Sequence, residues 1–298
     1  YHYTVSGRTE GRIFVYQGSA TGLSASAGWT RDGDLGVPYF YTSVAGAGDV
    51  NGDGFSDIIL GADCYSNGEE DEGIALVYYG SSSGLASAAD WSFEADQEYA
   101  YLGWGVAGIG DVNADGYDDI AVGAYGYTDG ESSEGVVFAF YGSASGLPSS
   151  ASWTVESDQA DADFGCGIAG GDVNGDEYSD IIIGADMYTN GQSEEGKVFA
   201  YYGSASGLSV LPDWSVESDQ ASSLFGCDVA TADVNGDGYR DVMIGAISYD
   251  NAQTNEGKVV VYYGSGSGPA TTADWTAESD QDYAWFGRSV AGSDVNGD

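Results

Sequence analysis

The chain has 298 residues, enough for a sizeable core, and 48 acidic against 7 basic residues give it a formal net charge of −41. A field of that sign repels nucleic acid and anionic membrane, so neither is an expected partner. No apolar run approaches the roughly 18 residues of a spanning helix, so no membrane insertion is expected either.

Glycine, at 48 residues, far exceeds proline, at four, and with many Tyr, Val, Ile and Trp this suits short strands joined by tight turns. No apolar series keeps helical spacing for more than a few residues. The chain opens at Tyr1 with neither Met nor a signal sequence, which reads as a mature form or a fragment. Residues 1–11 read as a polar loop, with Tyr3 and Glu10 matching Tyr65 and Glu72, and a strand is expected over Ile13 to Tyr16.

From there the chain repeats. The phrase Asp-x-Asn-x-Asp begins at Asp49, Asp111, Asp172, Asp233 and Asp294, in steps of 62, 61, 61 and 61 residues. Trp29, Trp91, Trp153, Trp214 and Trp275 keep the same interval, as do Glu-Gly pairs at Glu10, Glu72, Glu134, Glu195 and Glu256. Fixed-period self-similarity means one supersecondary unit copied several times, each burying its apolar face against a neighbour.

The third copy shows the unit. Phe164 to Gly170 reads as a small-residue strand, followed by an acidic loop from Asp172 to Asp180. Ile181 to Ala185 reads as a strand buried on both faces, and Lys197 to Gly203 as an alternating aromatic strand. Trp214 to Glu217 supplies a fourth, outer strand. Four strands in about 61 residues is the content of one propeller blade; a solenoid, the alternative, uses fewer strands per repeat. The fold expectation is therefore an all-β propeller of four-stranded blades forming a single domain over residues 1–298, with five repeats visible. Phe286 to Val290 is expected to supply a fifth first strand. The terminal blade is split between residues 1–30 and 286–298, which either closes a five-bladed ring or leaves room for further blades.

The loop carries the chemistry. Asp49, Asn51, Asp53, the carbonyl of Phe55 and Asp57 place oxygens at alternate positions 1 to 9, with Gly54 at the sharp turn of position 6. The same donors recur as Asp111, Asn113, Asp115, Tyr117 and Asp119, and as Asp172, Asn174, Asp176, Tyr178 and Asp180. A fourth set is Asp233, Asn235, Asp237, Tyr239 and Asp241, and Asp294, Asn296 and Asp298 begin a fifth, incomplete one. This spacing matches the first half of an EF-hand loop, which wraps Ca²⁺ at about 2.3–2.6 Å, and Mg²⁺ wants stricter octahedral geometry. Position 12, however, holds Leu60, Val122, Ile183 and Ile244, never Glu, and the flanks are strands. Asp, Asn and Gly also simply make turns. Three close carboxylates in each of four copies would repel without a cation, so about one Ca²⁺ per complete loop is expected. Ala114 at position 4 is expected to be harmless, whereas Glu177 in place of the turn glycine is expected to weaken or distort its site.

Phe164-Gly165, Phe225-Gly226 and Phe286-Gly287 precede the loops, and Gly61-Ala62, Gly123-Ala124, Gly184-Ala185 and Gly245-Ala246 follow them. The chain thus resembles the FG-GAP repeat family, the blade of the integrin α-subunit head, departing from it at Phe40-Tyr41 and Leu102-Gly103. The resemblance implies a β-propeller, usually seven-bladed, with Ca²⁺ loops on one face and, in integrins, ligand contacts on the other. Nothing here resembles an integrin leg or membrane segment.

No catalytic residues are expected. His2 is the only histidine, so Cys64, Cys166 and Cys227 have no base. Cys166 and Cys227 share a slot in adjacent repeats, where a bridge requires Cα atoms within about 7 Å, and free thiols are the alternative. Asp96, Asp158, Asp219 and Asp280 recur and read as turn acceptors. Recurrent Tyr3, Tyr65, Tyr127, Tyr188 and Tyr249 read as packing, while the non-recurrent Tyr99, Tyr101, Tyr283 and Trp285 are candidates to bind a ligand.

The functional expectation is a non-enzymatic, secreted or surface-displayed module. It would serve adhesion, binding of a protein or glycan on the face opposite the loops, or surface assembly. The alternatives are a self-assembling subunit of an extracellular filament or coat, and a Ca²⁺-dependent polysaccharide-active enzyme.

Overall fold

The computed structural model describes residues 3–5, 8–33 and 43–293, and among them there are twenty strands and no helix. Strands β1 (Tyr3–Val5) and β2 (Arg8–Glu10) form a hairpin, and β3 (Arg12–Val15) pairs with β4 (Trp29–Asp32). Four antiparallel four-stranded sheets follow. Blade 1 is β5 (Ser43–Gly48), β6 (Asp57–Ala62), β7 (Ile74–Tyr78) and β8 (Trp91–Glu94). Blade 2 is β9 (Leu102–Gly110), β10 (Asp119–Ala124), β11 (Val136–Phe140) and β12 (Trp153–Glu156). Blade 3 is β13 (Phe164–Gly171), β14 (Asp180–Ala185), β15 (Lys197–Tyr201) and β16 (Trp214–Glu217). Blade 4 is β17 (Phe225–Ala232), β18 (Asp241–Ala246), β19 (Lys258–Tyr262) and β20 (Trp275–Glu278).

Two expectations fail at the ends. Residues 3–5 and 8–10 pair as antiparallel strands rather than forming a loop. Phe286 to Val290 is not a strand: Phe286 makes a single parallel bridge to Gly257. In the complete blades the first strand is held by a ladder to the second, and among the described residues 286–290 have no such second strand to pair with.

The core lies between blades. One cluster joins Ile109 and Val137 of blade 2 to Phe164, Ile183 and Tyr201 of blade 3, and equivalent clusters join blades 1 and 2 and blades 3 and 4. The second strands are buried along their length because the neighbouring blades cover them: all six residues of β10, β14 and β18 are buried. The Gly-Ala glycine explains itself here. A Cβ on Gly61, Gly123, Gly184 or Gly245 would overlap the carbonyl of Gly103, Gly165, Gly226 or Gly287 in the next unit.

The recurrent tryptophans fasten the same joint from outside. The indole N–H of Trp91 donates to the Pro148 carbonyl at 2.8 Å, that of Trp153 to Ser209 at 2.9 Å and that of Trp214 to Ala270 at 3.1 Å. Trp29 donates to Ala86 at 2.8 Å, which docks the β3–β4 pair on blade 1 as a partial blade. Strands β5, β9, β13 and β17 pack on one another in turn, a propeller-like arrangement, and the described residues show no closed ring.

Candidate functional site

Each first strand ends in an acidic loop, and the four complete loops share one backbone trace. In the first, Asp49 accepts the amides of Asp53 at 3.0 Å and Gly54 at 2.8 Å, Asn51 that of Asp53 at 3.0 Å, and Asp53 that of Phe55 at 3.0 Å. Loop three repeats this with Glu177 in the turn: its amide donates to Asp172 at 3.0 Å, and its φ of 73° matches the 87° of Gly54. The expected distortion is therefore absent. The loop keeps its shape, with a side chain in a left-handed conformation that glycine adopts freely. Position 4 turns the same way, with φ 72° at Gly52 and 56° at Ala114, a demand that the donor spacing alone does not reveal.

Position 9 differs from the rest. Asp57, Asp119, Asp180 and Asp241 are fully buried. Asp119 accepts Val112 N–H at 2.9 Å and Gly142 N–H at 2.8 Å, one on each oxygen, and the other three repeat the pattern. Burial nonetheless pushes Asp57 up to about 6 and Asp119 and Asp180 up to about 7. A buried carboxylate that remains costly to ionise after two amide bonds is one that a cation would stabilise, and each oxygen keeps a second lone pair. The oxygen-only donor set fits a hard divalent ion, although among the described residues no three loop carboxylates lie within 4.8 Å of one another. Loops also grip each other: the amides of Asp118, Ser179 and Arg240 donate to the carbonyls of Asp49, Asp111 and Asp172 in the preceding loop at 3.0–3.2 Å. Asp294, Asn296 and Asp298 lie outside the described residues.

At the opposite ends of the first and second strands lies a cavity of about 610 Å³. An adjoining opening is lined by Trp104, Cys166, Cys227 and Arg288, corresponding positions of successive units, and by Ser43, Gly105, Gly167 and Asp228, the positions one further on, so both surround a common axis. Three slots supply most of the lining, and none of them holds a single residue type throughout. The residue before the Phe-Gly position is Tyr101, Asp163, Leu224 and Trp285, all but Tyr101 in the lining; the one after it is Trp104, Cys166, Cys227 and Arg288. The residue after Gly-Ala is Asp63, Tyr125, Asp186 and Ile247, all but Asp63 in the lining. The first slot sits at φ 51–54° throughout, a strained conformation for Leu and Trp. Burial pushes Asp186 up to about 7, helped by Asp163, and Asp163 itself up to about 6. One oxygen of Asp186 has no hydrogen-bond partner.

Of the four aromatic candidates, Trp285 lines this cavity and is 47% exposed. Tyr101 stacks on Tyr125 at 5.0 Å, Tyr99 donates to Glu70 at 2.8 Å, and Tyr283 is exposed. Trp104, Asp163, Asp186 and Arg288 were not singled out from the sequence; comparing the repeats slot by slot would have found them. Recurrent Tyr65, Tyr127, Tyr188 and Tyr249 pack on the core clusters. The three cysteines are free, and Cys166 and Cys227 donate to the Gly226 and Gly287 carbonyls instead of bridging. His2 lies outside the described residues.

The FG-GAP repeat family model matches residues 40–78, 102–140, 164–201 and 225–262, just over half of the chain. The chain belongs to the FG-GAP repeat family. Its curated relatives include phosphatidylinositol-glycan-specific phospholipase D of Bos taurus, 32% identical over 242 residues, which is 75% of this chain and 29% of that protein. Integrin alpha-5 of Xenopus laevis is 32% identical over 192 residues, covering 61% of this chain and 18% of the integrin. The chain therefore spans less than a third of these relatives. Among solved structures, the Bacillus licheniformis rhamnogalacturonan lyase PL11 aligns over 94% of this chain and 58% of its own at a TM-score of 0.46 and 15% identity. These relatives correct one expectation. The lone histidine argued for a non-enzymatic protein, but FG-GAP repeats at 32% identity also occur in a protein named as a phospholipase. Absence of a catalytic set within the repeats does not separate binding proteins from enzymes that carry such repeats. No helix among the described residues is long and apolar enough to cross a membrane.

Proposed function

We propose that this chain is a calcium-stabilised FG-GAP β-propeller segment that works outside the cell and presents a ligand-binding surface, for a protein or glycan, around its axial cavity. Ca²⁺ would be held by positions 1, 3, 5 and 9 and the position-7 carbonyl of each complete loop, fixing the loops that join neighbouring blades. Millimolar extracellular Ca²⁺ suits modest oxygen sites of this kind. The observation that carries the ligand reading is the cavity itself. In a chain that repeats its core, tryptophans and loops, the three slots facing the axis are the ones that vary, with two half-exposed indoles, Trp104 and Trp285, among them. Glycan-array binding by the wild type and by a Trp104→Ala/Trp285→Ala double variant tests this. Binding lost in a variant with an unchanged melting temperature supports the reading; binding that survives both substitutions removes the cavity from it.

The similarity to phosphatidylinositol-glycan-specific phospholipase D favours a second reading, in which the segment is the FG-GAP part of a longer enzyme. Lipase activity of the full-length protein, retained in the double variant, would support that role over the first.

A further inference from the structure

In blades 1 and 2 the glutamate of the Glu-Gly pair, the last residue of the fourth strand and the recurrent aspartate after it come together, away from the acidic loops. In blade 1 the carboxylates of Glu72, Glu94 and Asp96 lie within 4.8 Å of one another, and in blade 2 those of Glu134, Glu156 and Asp158 do the same. Glu72 and Glu134 are buried, at 0% and 1% exposure, and Glu72 Oε2 has no hydrogen-bond partner.

Blades 3 and 4 carry the same acids in sequence but pair the fourth-strand glutamate with a lysine. Lys197 pairs across the sheet with Glu217, its ammonium 3.4 Å from the carboxylate, and Lys258 pairs with Glu278 at 3.1 Å. In the β3–β4 unit the equivalent pair is Arg12 and Asp32, also joined as ions. The register is identical in blades 1 and 2, but there Ile74 faces Glu94 and Val136 faces Glu156. Blade 2 goes further: Asp129 stands where the other blades have Asn67, Asn190 and Asn251, which adds a fourth carboxyl.

Three units thus pair the fourth-strand acid with a fixed cation, and two face it with an aliphatic residue instead. We propose that blades 1 and 2 each bind a hard divalent cation, of the Ca²⁺ class, between Glu72, Glu94 and Asp96 and between Glu134, Glu156 and Asp158, in place of the basic side chain of the other units. Carboxylate oxygens gathered within 4.8 Å of one another can share one hard ion at the roughly 2.3–2.6 Å of Ca²⁺ coordination. These sites are separate from the acidic loops, so they can be present or absent whatever the loops bind.

Calcium titration by isothermal calorimetry tests this on the whole chain through complementary variants. Ile74→Lys/Val136→Lys should lower the number of bound ions by two and raise the melting temperature in chelator, because each new lysine supplies the missing charge. Lys197→Ile should raise the number by one. Unchanged stoichiometry in Lys197→Ile overturns the proposal even if the double-lysine variant fails to fold. A double-lysine variant equally stabilised with and without Ca²⁺, at wild-type stoichiometry, overturns it as well, since the acids would then be sharing protons. Loss of loop binding alone would leave both shifts in place, which separates this proposal from the loop reading.

Discussion

The two ends of each first strand obey opposite rules. At the loop end, four blades place Asp, Asn, Asp and Asp at the same positions, and the position-9 carboxylates accept the same two amides at 2.7–3.0 Å. At the far end one slot around the axis holds Trp104, Cys166, Cys227 and Arg288, three different chemistries in four units. One end is under the same structural demand in every blade, because each loop bonds to the next. The other end is free of that demand, so its residues are available for recognition. Repetition marks what the fold requires, and its local failure marks where the fold leaves a choice.

The largest effect should come from breaking a joint that repeats. Trp153→Ala removes a nearly buried indole that packs between blades 2 and 3 and its bond to Ser209, and should cost about 3–5 kcal/mol, read as a marked fall in melting temperature. Trp285→Ala, at the varying end and half-exposed, should stay within about 0.5 kcal/mol of wild type. Equal losses would erase the distinction between the two ends.

A smaller, pH-dependent effect belongs to the cavity. Asp163 and Asp186 hold their protons more tightly folded than unfolded, at about 6 and about 7 against an ordinary 3.8. Their contribution to stability is fully present below about pH 4 and is lost as pH rises through those values. Asp186→Asn should therefore melt like wild type near pH 4 and about 2–4 °C higher at pH 8, the shift expected from roughly 1 kcal/mol in a domain of this size. A constant difference across that range would mean that Asp186 is not buried as an acid.

The smallest effect lies within the loops. Glu177→Gly should raise stability by about 0.5–1 kcal/mol, since glycine accepts the left-handed turn without strain, and should leave the loop's hydrogen bonds intact. A destabilised variant would mean that the Glu177 side chain contributes a contact of its own.

The sequence reveals the blades because their signals are local and repeated. Phe164 to Glu217 divides into four strands at turns that composition marks, and the structure places them within a residue or two of those limits. The loops are legible for the same reason. Two kinds of information are not local. Whether Phe286 to Val290 forms a strand depends on a pairing partner elsewhere in the chain, which no property of those five residues supplies. The axial cavity and the acid clusters depend on which residues several blades bring together. Asp96 looks like a turn acceptor until Glu72 and Glu94 are seen beside it, and Lys197 looks like a surface charge until Ile74 is found at the same register.

The most direct test of the central claim is calcium stoichiometry in wild type and in a variant with Asp53, Asp115, Asp176 and Asp237 replaced by Ala, measured by equilibrium dialysis with metal analysis. Each substitution removes one exposed loop carboxylate and spares the buried position-9 aspartate that the fold itself uses. Four fewer ions per chain, with the melting temperature in chelator little changed, is the predicted result. The same number of ions bound by both proteins would contradict the account.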